Sequence, residues 1–248
     1  MKWRVIPLHT TNAATAMAID EAVFELVGAG KSPPTIRFWR WQPSAVSIGY
    51  FQSIEDEVNL DACKQFAVDV VRRRTGGGAV YHDYTGEITY SVIGPEEVMG
   101  KGIHDTYKLV CGWLIGGLKN LGIEAQFVPI NDIVTGGKKI SGNAQTRKIG
   151  VVLQHGTVLY DLDVTKMFTL LKISQEKISD KMIKAVEERV TRISNFGNFS
   201  REEVYNALLQ GFVEGKEWDF GELTSEEASL TKELAENKYK TKEWNFLR

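Results

Sequence analysis

Val68-Asp69-Val70-Val71-Arg72-Arg73-Arg74-Thr75-Gly76-Gly77-Gly78-Ala79-Val80-Tyr81 and, past the turn Asp83-Tyr84-Thr85-Gly86, Ile88-Thr89-Tyr90-Ser91-Val92-Ile93 form the stretch that decides the fold. Val68 to Val71 predicts a strand running straight into the basic run and the glycines. Ala79-Val80-Tyr81 and Ile88 to Ile93 predict two more strands, with only a turn between them. Outward from there, Ile36 to Trp41 and Ala45 to Tyr50 read as strands separated by Pro43-Ser44, and residues 125–160 return to strands and turns. Strands that follow one another without intervening helices argue against a doubly wound parallel sheet. The expected fold class is α/β of the α+β kind, a mixed and largely antiparallel sheet flanked by helices.

The helices are read from their period. Met17, Ile19, Val23 and Leu26 mark residues 14–28, and Tyr107, Cys111, Leu114, Ile115 and Leu118 mark a helix ending at Gly122. Residues 57–67 also read as helical, and from about residue 164 onward the pattern is mainly helical. Ser200 with Glu203, and Thr224 with Glu227, carry capping-box signatures. The chain reads as one catalytic domain over 1–248, with no separate C-terminal domain.

Composition limits the function. At 248 residues, 43% hydrophobic and 25% charged, the chain is an ordinary globular protein able to bury its own core. A net charge of −2 gives no broad basic face for nucleic acid or an anionic membrane, so any cationic site is local. No run approaches the roughly 20 apolar residues that cross a bilayer, and no signal peptide is legible at the N-terminus. Cys63 and Cys111 stand in no pairing motif, which fits a reducing, cytoplasmic setting.

Chemistry concentrates at the glycines. Three in a row open backbone conformations closed to other residues, and consecutive N–H groups in such a turn form an anion-binding concavity. Arginines ahead of them add bidentate donors, and strand alternation points Arg73 opposite to Arg72 and Arg74. The plain alternative is a surface turn with a solvated basic run. Gly136-Gly137-Lys138-Lys139-Ile140-Ser141-Gly142 offers a lysine at a glycine-flanked strand start, or simply an exposed hairpin. His155, in Gln154-His155-Gly156-Thr157, is either catalytic or a structural strand histidine. The four histidines and two cysteines show no metal-ligand spacing. No nucleophile elbow, P-loop or GxGxxG is present.

These pieces resemble the lipoate–protein ligase A family. The family signature Arg-Arg-x-Ser/Thr-Gly-Gly-Gly-x-Val-x-His-Asp stands here as residues Arg73 to Asp83. Asn131-Asp132 with Lys139-Ile140-Ser141-Gly142-Asn143-Ala144, then His155-Gly156-Thr157-Val158-Leu159, then Arg189-Val190-Thr191-Arg192-Ile193 match further blocks in order. The resemblance implies a fold shared with biotin–protein ligases and class II aminoacyl-tRNA synthetases. It implies a cytoplasmic ligase that joins lipoate to ATP, with Mg2+, as lipoyl-AMP and passes the lipoyl group to a carrier lysine. Lys139 would be the essential catalytic cation and Arg73 would touch the nucleotide phosphates. Thr75, Gly76, Gly77, Gly78, Ala79, Val80, Tyr81, Asn131, Asp132 and His155 would complete the ligand site, with no resident protein-bound metal. Implied partners are lipoyl domains of 2-oxoacid dehydrogenase E2 subunits and the glycine-cleavage H protein. A separate small accessory subunit would replace the family's C-terminal domain.

Another reading is an octanoyltransferase of the same superfamily, moving octanoate from a carrier protein without ATP. Asn143-Ala144-Gln145-Thr146-Arg147 resembles its thiol-dependent branch, but no cysteine precedes the lysine block between Ala125 and Lys139. A biotin ligase lacks support because the Gly-Arg-Gly-Arg-x-Gly signature is missing. An RNA-binding module would need the broad basic face that the charge balance denies.

Overall fold

The computed structural model describes residues 1–148, 150–172 and 180–248. The helical expectation over residues 173–179 therefore lies outside the described residues.

The strands are β1 (Trp3–Thr11), β2 (Thr35–Trp41), β3 (Ala45–Ile48), β4 (Asp69–Arg72), β5 (Val80–His82) and β6 (Glu87–Pro95). They continue with β7 (Gln126–Val128), β8 (Asp132–Thr135), β9 (Lys138–Lys148), β10 (Val151–Leu159) and β11 (Trp218–Phe220). The helices are α1 (Ala13–Gly28), α2 (Ile54–Glu57), α3 (Leu60–Gln65), α4 (Glu96–Met99) and α5 (Ile103–Asn120). After the strands come α6 (Val164–Leu170), α7 (Asp180–Glu187), α8 (Arg201–Val213), α9 (Ser225–Leu234) and α10 (Lys242–Asn245).

One large sheet runs β11-β1-β2-β6-β10-β9-β8-β7, and a small one runs β4-β3-β5. From β2 to β7 neighbouring strands are antiparallel, whereas β11, β1 and β2 are mutually parallel. The mixed, largely antiparallel expectation describes this sheet. Two details differ from the sequence reading. Residues 57–67 do not form one helix: Val58 bridges to Leu171, and the Asn59 side chain then accepts from the Ala62 N–H to cap a new start. The C-terminal part also contributes a strand, β11, which adds in parallel to the edge at β1.

Alternation along the central strands sorts the core. Ile88, Tyr90 and Val92 of β6, with Ile36 and Phe38 of β2, face α5 and α8 and pack on Leu114, Leu118, Leu208 and Phe212. The opposite face meets α1, where Ile93, Val151 and Leu153 pack on Ile19, Val23, Phe24 and Val27. That second face also carries Arg37, Ser91 and His155, so the polar chemistry lies on the α1 side. Both capping boxes form: Ser200 and Glu203 start α8, and Thr224 and Glu227 start α9.

Helices α5 and α8 cross at glycines. A Cβ on Gly211 would stand 2.2 Å from the Gly117 nitrogen and 2.4 Å from the Trp113 carbonyl oxygen. Alanine gains about 1 kcal/mol of helix propensity, but overpacking costs about 1–3 kcal/mol. Backbone atoms cannot rotate away as a side chain can, so the clash wins. Gly211→Ala is expected to lower the melting temperature; an unchanged or raised one contradicts this packing.

Candidate active site

β5 does not pair with β6, although only a turn separates them. It joins β3 in the small sheet, with Val46 opposite Tyr81, while β6 lies in the large sheet between β2 and β10. The chain thus crosses between the sheets and leaves a cavity of about 310 Å³ between them. Its lining is largely apolar. Met17, Trp39, Trp41, Leu159, Leu162 and Met167 are among its apolar lining residues.

The three arginines do three different things. Arg72 donates to the main-chain carbonyls of Gly49, Tyr50, Gln52, Trp244 and Asn245, tying the small sheet to α10. Arg74 pairs with Glu21 and Glu25 on α1, at 3.1 and 2.6 Å. Only Arg73 turns to the cavity, as alternation requires. Its Nε donates to Thr75 Oγ1, Nη1 to the Ser47 oxygens, and Nη2 to the Gly76 and Gly78 carbonyls at 2.7 and 2.8 Å. Every N–H of that guanidinium is engaged, and burial lowers its pKa to about 10. Arg73 thus braces the glycine loop from inside. Gly77 sits at φ +96°, and a Cβ on Gly49 would stand 2.0 Å from its carbonyl oxygen, so the loop lies hard against the end of β3.

Of the residues singled out from the sequence, Arg73, Gly77, Gly78, Ala79, Val80, Tyr81, Asn131, Lys139 and His155 line this one cavity. Thr75, Gly76 and Asp132 are outside that lining, although Thr75 bonds His155 and Asp132 pairs with Lys139. Lys139 is the second residue of β9, and its main chain is bracketed by hydrogen bonds to Arg189 and Thr191, both 2.8 Å. The Arg189 to Ile193 block therefore fixes the lysine's backbone. Its Nζ lies 2.7 Å from Asp132 Oδ1, leaving the side chain half-buried. Asn131 and Asn143 exchange hydrogen bonds, and the Tyr90 hydroxyl donates to Asn143 Oδ1.

Sequence reasoning missed the network behind His155. Thr75 Oγ1 lies 2.8 Å from His155 Nε2, and His155 Nδ1 lies 3.1 Å from Asp20 Oδ2. Asp20 Oδ1 in turn accepts from Arg37, at 2.9 Å, and from Ser91, at 2.8 Å. Burial alone would raise the Asp20 carboxyl. The His155 hydrogen bond and the Arg37 charge outweigh it and hold the group below the usual carboxylate range. Burial lowers His155, and burial followed by the Arg37 charge lowers His9 to about 4. The only signal in the sequence was an acidic residue within the apolar period of residues 14–28.

These shifts set a pH dependence. Both histidines are neutral in the fold but take up protons in the unfolded chain below about pH 6.5. The unfolded state therefore binds more protons as acidity rises. Stability is complete above about pH 6.5 and falls as the pH moves toward the folded values, about 4 for His9. The melting temperature is expected to be lower at pH 5 than at pH 7.5, and His9→Gln should flatten the decline. Equal values at both pH values contradict the assignment.

A largely hydrocarbon-lined chamber whose wall carries Lys139, Arg73 and several uncharged donors can hold an acyl chain by its tail and polarise its carbonyl. Its chemistry is that of enzymes that pass an acyl group to an amine. The model for the lipoyl protein ligase A/B catalytic domain matches residues 12–213, and the chain belongs to that family of amide-forming enzymes. Octanoyltransferase LipM of Brevibacillus brevis is 37% identical, over 100% of this chain and 99% of its own. The protein of the same name from Bacillus subtilis is 34% identical, over 99% and 98%. Among solved structures, a bi-partite lipoate protein ligase of Thermoplasma acidophilum, studied with its E2 lipoyl domain, superposes with a TM-score of 0.89. It is 36% identical, over 99% of this chain and 96% of that one. A lipoate-protein ligase A bound with ATP gives a TM-score of 0.85 at 34% identity, over 99% of each chain.

The curated relatives correct the expected activity. They are octanoyltransferases matched along their whole length, so an ATP-dependent lipoate ligase is not the reading they support. The Arg73 donors are directed to Thr75, Ser47, Gly76 and Gly78. The loop without a cysteine had argued against a transferase. Attack of an amine on a thioester needs the carbonyl held and polarised, and that requirement does not name a thiol. Among the described residues no helix is long and apolar enough to cross a membrane.

Proposed function

We propose that this enzyme moves an octanoyl group from a carrier-protein thioester to the ε-amine of a lysine on a lipoyl carrier domain. The match to octanoyltransferases over essentially the full length of both chains carries the reading. The cavity supports it. An octanoyl tail has about six methylenes, and burying each is worth about 0.8 kcal/mol, so contact with the apolar lining favours binding of the tail. Lys139 in the cavity wall supplies the charge that a carbonyl oxygen needs as it becomes an oxyanion.

A thioester is already activated, so the transfer calls for no nucleotide, Mg2+ or adenylating accessory subunit. Acceptors are the lipoyl domains of 2-oxoacid dehydrogenases and the glycine-cleavage H protein, in the cytoplasm. The test is to incubate the enzyme with octanoyl-carrier protein and an apo lipoyl domain, free of nucleotide, and weigh the acceptor. One added octanoyl group on its lysine is expected. Modification only when free lipoate and ATP are supplied contradicts the proposal.

A further inference from the structure

An acyl transfer can proceed by direct attack of the acceptor amine or through an acyl-enzyme, and the second route needs a nucleophile in the cavity. The cysteines cannot serve. Cys63 and Cys111 are buried away from the cavity, and burial pushes their thiols up to about 11 and about 12. A hydroxyl with a base and an orienting acid stands in their place. Ser47, in the middle of β3, places its Oγ 2.8 Å from His82 Nε2. The other ring nitrogen, His82 Nδ1, lies 2.8 Å from Glu87 Oε1. Ser47, His82 and Thr89 all line the cavity that Lys139 also lines.

The arrangement follows from the fold. β3 pairs with β5 with Ala45 opposite His82, which places Ser47 and His82 diagonally on one face. Glu87 begins β6, so the acid comes from the large sheet and the nucleophile from the small one. The imidazole is held from several sides. It stacks on Trp41 at 4.2 Å and 19°, and Trp41 Nε1 donates to Thr89 Oγ1, which donates to the same Glu87 oxygen. With a carboxylate accepting at Nδ1, the neutral ring carries its proton there and offers the Nε2 lone pair to the serine. Arg73 Nη1 donates to Ser47 Oγ at 3.2 Å, placing a fixed cation beside the oxygen that must lose its proton. Nucleophile, base and orienter are thus linked as acyl-transfer chemistry requires.

We propose that Ser47 is the nucleophile of this enzyme and carries the acyl group as an oxygen ester, with His82 as general base and acid and Glu87 as its orienting partner. The proposal rests on the acyl-transfer reading and adds the covalent step. Ser47 Oγ attacks the thioester carbonyl as its proton passes to His82 Nε2. The carbon–sulfur bond breaks, and the thiolate leaves with that proton. The acceptor lysine amine then attacks the ester carbonyl and gives its proton to His82. The carbon–oxygen bond breaks, Ser47 Oγ takes the proton back, and an amide remains. The electron count is unchanged throughout and no further reactant is needed.

The experiment supplies octanoyl-carrier protein without acceptor, quenches, and maps the enzyme by peptide mass. An octanoyl group on the peptide containing Ser47 is expected, stable to neutral hydroxylamine and released by alkaline hydroxylamine. Ser47→Ala should show no adduct and lose at least about 100-fold in transfer to the acceptor. Ser47→Cys guards against a folding defect: it should form an adduct that neutral hydroxylamine cleaves. A wild-type enzyme that modifies the acceptor lysine without ever carrying the adduct overturns the covalent step and leaves acyl transfer standing. So does a Ser47→Ala enzyme with wild-type rates. An adduct on Ser47 with no transfer to a lipoyl domain supports the nucleophile and refutes the acceptor. Neither adduct nor transfer refutes both.

Discussion

Replacing Lys139 by alanine should reduce transfer to the acceptor lysine by about 100-fold to 1000-fold, the usual loss on removing one preorganised donor to a developing oxyanion. Its position is the reason. The main chain of Lys139 is clamped between Arg189 and Thr191, so only the side chain moves. The ammonium is held by Asp132, and Lys139 lines the cavity. A carbonyl oxygen bears little charge in the ground state and nearly a full charge in the tetrahedral intermediate. The loss should therefore fall on kcat, with KM for the acyl donor little changed. Lys139→Arg retains the charge and should recover part of the rate. A Lys139→Ala enzyme with wild-type turnover, or one changed only in KM, contradicts the role.

Asp20→Asn should be the most destabilising single change in the site. Asp20 and Arg37 are both buried and lie 2.9 Å apart, and Arg37 also stacks over Trp39 at 4.1 Å. Removing one partner of such a pair typically costs about 3–5 kcal/mol, because it leaves the other charge buried alone. For a chain of this size each kcal/mol moves the melting temperature by about 2–4 °C, so a fall of about 6–20 °C is expected. Asp20 also orients His155, whose other nitrogen bonds Thr75 at the glycine loop, so activity should fall with stability. Adding Arg37→Met removes the stranded charge, and the double variant should melt above Asp20→Asn alone. A double variant that is less stable than the single one shows that the pair is not coupled in this way.

Much of the fold was legible because period and capping are local. The alternation of residues 88–93 separates the face toward α5 and α8 from the face toward α1, and both capping boxes form where Ser200 and Thr224 stand. Sheet membership was not local. Nothing within residues 79–93 says that Val80–His82 pairs with Ala45–Ile48 while Glu87–Pro95 pairs elsewhere. Nor does any residue of Trp218–Phe220 announce a parallel edge beside β1. The glycine loop and Lys139 were visible as motifs, but the direction of Arg73 depended on the tertiary position of Ser47. Asp20 and Ser47 stood outside the motifs and gain meaning only across long sequence separations. Within the family, the activity turns on more than one loop: a missing cysteine taken alone points to the ligase, whereas full-length similarity favours the transferase.

The energy source for the amide bond is the point on which the functional account turns, and counting AMP tests it. With octanoyl-carrier protein, an apo lipoyl domain and ATP all present, the account predicts acylated acceptor and no AMP above background. One AMP released for each lysine modified would mean that the chain activates a free acid through an adenylate, and would contradict it.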